Sequence, residues 1–493
     1  MWPGFYVMIS EARGPALSTM THRQPITRVF RAASNLAAAV VFLMAGVVLS
    51  SAQQIAPSAA AGTNRDGSLS PQTQSANQSP NSGTSNGQLS PANLASAMPA
   101  YLTPIHGVQG VLAETIDGAT IAAQAAEDRF NPASSIKLAT ALVALESFGP
   151  DHRFITSVWA NGTVDRLTGT LTGDLVITGR DPSFRYEHAV MLARQLNQLG
   201  ISTVTGNLVV APGFTMNFDW SAKRSGEACR DTLDANRRTG AATRAWLDER
   251  TLVGDQEGLS SVPTVIINGE VQIGSAAPTA QALITHKSSR LVDILKVLLC
   301  YSNNFMAERI GETLGGPPSI RTLILQKLKI NSDEFQIVSA SGLGVNRVSP
   351  RAMMKILRGL RSELDRHKLS LADILPVAGI DPGTLEDRYT QPVSRGSVIA
   401  KTGTLARTDG GASSLVGEMQ TRSGRVVLFV ILNQQGNVLR FRQNQDEIVA
   451  SIQNTLGGPA PFNYRPVNLA IRLANSDYEA AKARGEYEPK NQQ

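Results

Sequence analysis

Three short strings, taken in chain order, hold the residue types of a serine acyl-transfer site with lysine in place of histidine. They are Ser134-Ser135-Ile136-Lys137, Ser302-Asn303-Asn304 and Lys401-Thr402-Gly403-Thr404. A serine hydroxyl is a weak nucleophile at neutral pH and needs a base within hydrogen-bond reach. Lysine can be that base where burial or neighbouring charge holds it partly unprotonated. Ser134 and Lys137 are three residues apart, which on a helix is one turn on one face. Ser134 is therefore the candidate nucleophile and Lys137 its base, while Ser135 is expected to be replaceable.

The surrounding elements must position these groups. Asn131-Pro132 reads as a turn, and Ser134 to Leu145 is a helix-favouring run that ends near Gly149-Pro150. That places Ser134 at a helix start, where backbone N–H groups point at developing negative charge. Taken alone, S-x-x-K is also a common pattern on a helix surface. Leu291 to Leu299 is an apolar helical stretch, and Tyr301-Ser302-Asn303-Asn304-Phe305 separates it from a second helical pattern over Met306 to Leu314. A polar loop between two buried helices suits a hydroxyl that relays a proton, Ser302, and an amide that holds a carbonyl, Asn304. The same string also reads as an ordinary helix cap, or in another frame as the Tyr-x-Asn triplet Tyr301-Ser302-Asn303.

Lys401 lies on a strand. Ser397 to Ala400, Ala412 to Met419 and Arg425 to Leu432 read as β-strands, with Asp409-Gly410-Gly411 as a turn. Gly403 within a strand points to a close approach by another backbone. A substrate adding edge-on here would bring its carboxylate to Lys401 and Thr402. The alternative is a surface lysine before a glycine bulge.

At these residues the chain resembles the class C low-molecular-mass penicillin-binding proteins, the D-alanyl-D-alanine carboxypeptidase/endopeptidase family. The likeness spans about residues 105 to 457 and includes FNPASSIK (Phe130 to Lys137), GDLVITGRDPSF (Gly173 to Phe184), NRVSPR (Asn346 to Arg351) and LPVAGIDPGTL (Leu375 to Leu385). It implies an α+β fold of the penicillin-binding-protein/β-lactamase type, an antiparallel sheet flanked by helices, with an inserted mostly-β domain. It further implies acylation of Ser134 with Lys137 as base, Ser302 and Asn304 in proton transfer and substrate holding, and substrate binding by Lys401, Thr402 and Gly403. The oxyanion hole would be the N–H groups of Ser134 and Thr404. The substrates would be peptidoglycan stem peptides, with β-lactam antibiotics as covalent inhibitors. In the family an aspartate of the insertion meets the amino group of the stem peptide's diamino acid, and the nearest match is Asp181, although Asp before Pro is also a frequent turn pair.

Two departures stand out. The family's Asp-Gly-Ser-Gly-Leu-Ser turn reads Ser339-Ala340-Ser341-Gly342-Leu343-Gly344, without the aspartate. The stretch between Ser134 and Ser302 is also too short for two inserted domains, so one is expected, with the second absent or reduced. The expected organisation is a signal peptide or N-terminal anchor over 1–52, a Ser/Gln/Asn/Pro-rich disordered linker over 53–100, and a catalytic domain over 101–150 and 285–457 interrupted by the insertion at 151–284. An exposed tail covers 458–493. Arg23, Arg28 and Arg31 before the apolar run Leu36 to Leu49, and Ser50-Ser51-Ala52 after it, carry the export pattern and place the protein in the periplasm or cell envelope. Met20 serves equally well as a start. The insertion should hold strands near Ile155 to Val158, Gly169 to Ile177, Val204 to Val210 and Thr264 to Ile267, and a polar helix-like stretch, Ser221 to Arg250, with no assignable function.

Composition bounds the remaining classes. A net charge of +6 and a pI of about 9.4 fit anionic wall polymers or peripheral association with lipid head groups, and equally a merely basic soluble protein. No nucleic-acid module is present. The six histidines show no metal-ligand spacing and no H-E-x-x-H, which argues against a zinc peptidase, and no cofactor or metal is implied. Cys229 and Cys300 would meet an oxidising environment after export, yet Cys300 in its apolar helix also reads as simply packed. Beside the carboxypeptidase, the same site serves a β-lactamase, for which no water-activating group is evident, or a transpeptidase. A catalytically silent wall-binding protein would not need Ser134, Lys137 and Lys401.

Overall fold

The structure, a computed structural model, describes residues 105–481. The signal or anchor segment, the linker, the choice of start and the last twelve residues lie outside the described residues. The described chain opens with the hairpin β1 (Val108–Thr115) and β2 (Thr120–Gln124), turning at Asp117-Gly118 as its sequence demands. A single 3₁₀ turn, Ala133–Ile136, then leads into α1 (Lys137–Phe148). Leu138, Ala139, Ala141, Leu142, Val143, Ala144 and Leu145 are all at most 1% exposed, so α1 is a central helix covered on every side.

The insertion follows with β3 (Ile155–Asp165), β4 (Thr170–Gly179), α2 (Tyr186–Gln198), β5 (Thr203–Val204), β6 (Leu208–Val210), α3 (Ala222–Leu233) and α4 (Gly240–Leu252). It closes with β7 (Ile266–Ile267), β8 (Val271–Ile273) and β9 (Gln281–Lys287). The helix-like stretch from Ser221 thus forms two helices, N-capped by Ser221 and Thr239. Cys229 is buried in this domain's core and Cys300 in the helical core of the catalytic domain, and neither is in a disulfide.

The chain returns through α5 (Leu291–Tyr301), α6 (Asn304–Thr313), α7 (Gly316–Leu328), the short pair β10 (Phe335–Gln336) and β11 (Arg347–Val348), and α8 (Pro350–Arg366). Strands β12 (Val398–Leu405), β13 (Ala412–Gln420) and β14 (Val426–Gln434) and helix α9 (Val438–Thr455) complete the catalytic domain. Helix α9 starts eight residues before Asp446, the first position where apolar spacing is visible. Its early turns are polar, but Asn437 caps them by accepting the N–H groups of Leu439 and Arg440 at 2.9 and 3.1 Å.

The catalytic sheet has the order β12-β13-β14-β1-β2 and separates two cores. Ile399, Val416, Leu428, Val430 and Leu432 face the helices of the α1 side. Val398, Ala400, Leu415, Met419, Val427, Phe429 and Ile431 face α9. Burial of both faces explains why β14 reads as a continuous apolar run from Val426 to Leu432. Truncating a buried Leu such as Leu428 to Ala would cost about 2–5 kcal/mol.

The tail departs from expectation. Residues after Gly458 are not simply exposed. Helix α10 (Leu469–Ala474) buries Leu469, Leu473 and Ala474, and β15 (Asp477–Ala480) extends the insertion's sheet by pairing with β9. Tyr464 donates to Asp381 Oδ1 at 2.8 Å, and Arg472 bonds Asp293 at 2.9 Å. Its apolar residues are too sparse to show a period, and the surface that holds them exists only after folding.

Candidate active site

The S-x-x-K pair is set by the 3₁₀ turn. In that geometry side chains at i and i+3 eclipse, so Lys137 lies directly over Ser134. The Lys137 Nζ–Ser134 Oγ distance is 2.9 Å. Lys137 is 1% exposed and also meets Asn304 Oδ1 at 2.7 Å and the Ser341 carbonyl at 2.6 Å. Burial above all, and then the charge of Lys401, pushes its pKa well below the usual lysine range, while Glu308 opposes the shift. As a neutral amine, its two N–H groups match the two carbonyl acceptors and its lone pair is left for the Ser134 hydroxyl. This is the protonation state a base needs.

Helix α5 ends at Ser302, whose left-handed backbone (φ 55°, ψ 40°) turns the chain sharply into α6. Asn303 caps α6 by accepting the Met306 N–H at 3.0 Å. The cap reading of this string therefore belongs to the middle residue alone. Its neighbours are turned inward: Asn304 to Lys137, and Ser302 Oγ to Lys401 Nζ at 2.9 Å. Tyr301 is packed half-buried against the helical core.

Strand β12 lies at one edge of the sheet. Its register with β13 pairs Lys401 with Val416 and Gly403 with Ser414. Gln420 N–H donates to the Ser397 carbonyl, so by alternation the main-chain groups of Thr402 and Thr404 point to the open edge. Pro376 and Ala378 cover that edge as far as Ala400, and among the described residues no strand pairs with it beyond. Lys401 is wholly buried and also donates to the Thr402 carbonyl at 2.6 Å. Burial lowers its pKa to about 7. A Cβ on Gly403 would lie 2.7 Å from the Pro132 carbonyl and 2.9 Å from Ser134 N, so glycine here lets the strand press on the nucleophile's own backbone. The close approach is made by the nucleophile turn, which leaves the strand's outer edge for a substrate.

Several residues of the site escaped the motif reading. Glu308, four residues and one turn after Asn304 on α6, accepts the N–H groups of Ala340 and Ser341 at 3.2 and 2.8 Å. It holds the turn that lacks the family's aspartate. The i,i+4 spacing was its only sequence signal. Asp409 receives Asn131 Nδ2 at 2.7 Å and both Nη groups of Arg347 at 2.8 and 2.9 Å, tying the turn after β12 to the nucleophile turn. Ser135, expected to be replaceable, is buried and bonds Ser414 Oγ at 2.7 Å, and Ser414 donates onward to the Pro132 carbonyl.

Asp181 is placed differently from the substrate-binding expectation. It is 3% exposed, and its Oδ1 accepts both the N–H and the hydroxyl of Ser183 at 2.8 and 2.6 Å. Its Oδ2 lies 4.0 Å from His286 Nδ1. Burial raises its pKa to about 6. This geometry is that of the turn-shaping alternative, with the carboxylate enclosed inside the insertion.

The model of the D-Ala-D-Ala carboxypeptidase 3 (S13) family matches residues 99–228 and 261–455. The unmatched stretch between them contains α4. Carboxypeptidase DacB of Mycolicibacterium smegmatis is 26% identical over 379 residues, covering 69% of this chain and 79% of that protein. The D-alanyl-D-alanine carboxypeptidase of Actinomadura sp. is 24% identical over 466 residues, covering 74% and 84%. Among solved structures, the penicillin G-acylated predatory endopeptidase Bd3459 of Bdellovibrio bacteriovorus, in complex with an immunity protein, superposes with a TM-score of 0.65 at 22% identity. It covers 77% of this chain and all of that one, a likeness of fold.

Proposed function

The chain belongs to the D-Ala-D-Ala carboxypeptidase 3 (S13) family, a family of serine-type D-alanyl-D-alanine carboxypeptidases, and from that premise we propose that it works through an acyl-enzyme on Ser134. The observation that carries the reading is the Ser134–Lys137 pair, a hydroxyl 2.9 Å from a buried lysine whose pKa burial pushes well below the usual lysine range. Ser134 Oγ attacks the penultimate D-Ala carbonyl of a peptidoglycan stem peptide and its proton passes to Lys137 Nζ. The Ser134 and Thr404 N–H groups receive the oxyanion. As the C–N bond breaks, the leaving nitrogen takes the proton that Lys137 received, for which Ser302, bonded to Lys401, offers a relay, and Lys137 is neutral again. D-Ala departs, and water then cleaves the ester and restores Ser134.

The same steps serve an endopeptidase, with the crosslinked partner's amine as the leaving group. A β-lactam, whose strained amide imitates the substrate, would leave a stable adduct on Ser134. Export to the cell envelope, through the apolar run at Leu36 to Leu49, places the enzyme with its substrate. Among the described residues no helix is long and apolar enough to cross a membrane.

The test is covalent labelling with a fluorescent penicillin. The wild type should label stably. Ser134→Ala should abolish the label, and Lys137→Arg should nearly do so, because a guanidinium cannot take the serine proton. Ser135→Ala should keep the label but lose about 1 kcal/mol of stability, since it removes the buried bond to Ser414. An adduct mapped by mass spectrometry to a peptide lacking Ser134 would overturn the assignment.

A further inference from the structure

Lys401, the cation that the K-T-G string offers for a terminal carboxylate, is not at the surface. It is wholly buried, with its ammonium directed at Ser302 Oγ and the Thr402 carbonyl. A carboxylate arriving at the open edge of β12 would meet Thr402 and Thr404 first, and neither carries charge.

The sheet's other face supplies one. Arg442, on the second turn of α9, is exposed at the rim and donates through Nη2 to Thr404 Oγ1 at 2.9 Å. The alternation of β12 explains the contact, because even-numbered residues of the strand face α9. Among the described residues Arg442 forms no salt bridge. The carboxylate beside it, Asp446, is taken by Arg388, whose Nε and Nη2 reach it at 3.0 and 2.5 Å. Although Arg442 is exposed at the rim, desolvation of its covered part first, and then the Arg388 charge, hold it below the usual arginine range, with Asp446 opposing. Of the two guanidinium groups only Arg388 is paired with the carboxylate, and the unpaired one touches the strand at Thr404.

We propose that Arg442 receives the substrate's terminal carboxylate together with Thr404, and so sets the preference for peptides with a free carboxyl end. This rests on the carboxypeptidase reading above and deepens it. Lys401 then acts from behind the strand through Ser302, while Arg442 supplies the fixed positive charge in front. Arginine suits the task, since its planar fork can keep the threonine and still offer N–H groups to a carboxylate.

The experiment compares cleavage of an acyl-D-Ala-D-Ala peptide with that of its C-terminal amide by the full chain, as the ratio of kcat/KM values. The wild type should favour the free acid. Arg442→Gln should lower the acid-to-amide ratio by about tenfold or more, the size of one lost charge-assisted contact. Arg442→Lys should recover part of it. Thermal unfolding midpoints check that each variant is folded. A folded Arg442→Gln with the wild-type ratio, or an equal loss on acid and amide, overturns the proposal while leaving the carboxypeptidase reading intact. A wild type that cleaves neither peptide and is not labelled by penicillin overturns that reading and this inference with it.

Discussion

Glu308 accepts the Ser341 N–H at 2.8 Å, and the carbonyl of the same Ser341 accepts Lys137 at 2.6 Å. The carboxylate therefore acts on the base through the backbone of one residue, and also directly by charge. Gly342 makes this possible: its φ of 88° and lack of Cβ let the turn lie against the Ala133 carbonyl.

Glu308→Gln keeps an acceptor for the turn but removes the charge that raises the pKa of Lys137. Acylation requires neutral Lys137, so it falls as pH drops through that value. The acid limb of the acylation profile should move to lower pH in the variant. Glu308→Ala should lose about tenfold or more in acylation rate, because two backbone donors lose their acceptor. An unmoved acid limb in Glu308→Gln would reduce Glu308 to a purely structural brace.

Lys401 should be visible in stability. Its folded-state pKa, about 7, lies below the usual value of 10.5, so between these the unfolded chain binds a proton that the native protein does not. Stability from this group therefore rises as pH increases from about 7 towards 10.5. The gain in unfolding midpoint between neutral and alkaline pH should be smaller in Lys401→Met than in the wild type. Equal gains would place the shift elsewhere.

In the Ser302 loop, Ser302→Ala and Asn304→Ala should each lower penicillin acylation by more than about tenfold, while Tyr301→Phe is mild. Asn303→Ala should cost about 1 kcal/mol of stability, as an N-cap does, with a smaller effect on acylation than its neighbours have. If Tyr301→Phe were the most damaging, the Tyr-x-Asn frame would be the correct one.

Asp181 should behave as an internal residue. Its pKa is raised from 3.8 to about 6, so the stability it contributes is present below about pH 4 and lost as pH rises through 6. Asp181→Asn should flatten that part of the stability profile and change peptide cleavage and penicillin acylation by equal factors. A loss confined to a peptide with a free diamino-acid amine would restore the substrate role.

The local geometry of the site was legible in the chain because it depends on short-range order. A serine and lysine one turn apart, a polar break between two apolar helical runs, and a glycine in a strand each carry their constraint within a few residues. The apolar runs that became α1, α5 and β14 showed in the same way, since burial on all sides leaves no polar period to misread. What the chain could not show was which separated groups meet. Glu308, Asp409, Arg347, Ser414 and Arg442 are ordinary polar residues on their own elements. The tail after Gly458 and the first turns of α9 are likewise polar segments whose partners lie on other elements. Asp181 marks the limit from the other side: the dipeptide Asp-Pro was plain in sequence, and only the packing of Ser183 and His286 around it decided that its carboxylate is enclosed. Pairing across such distances is set by the summed burial of two cores on either side of one sheet, which no local pattern encodes.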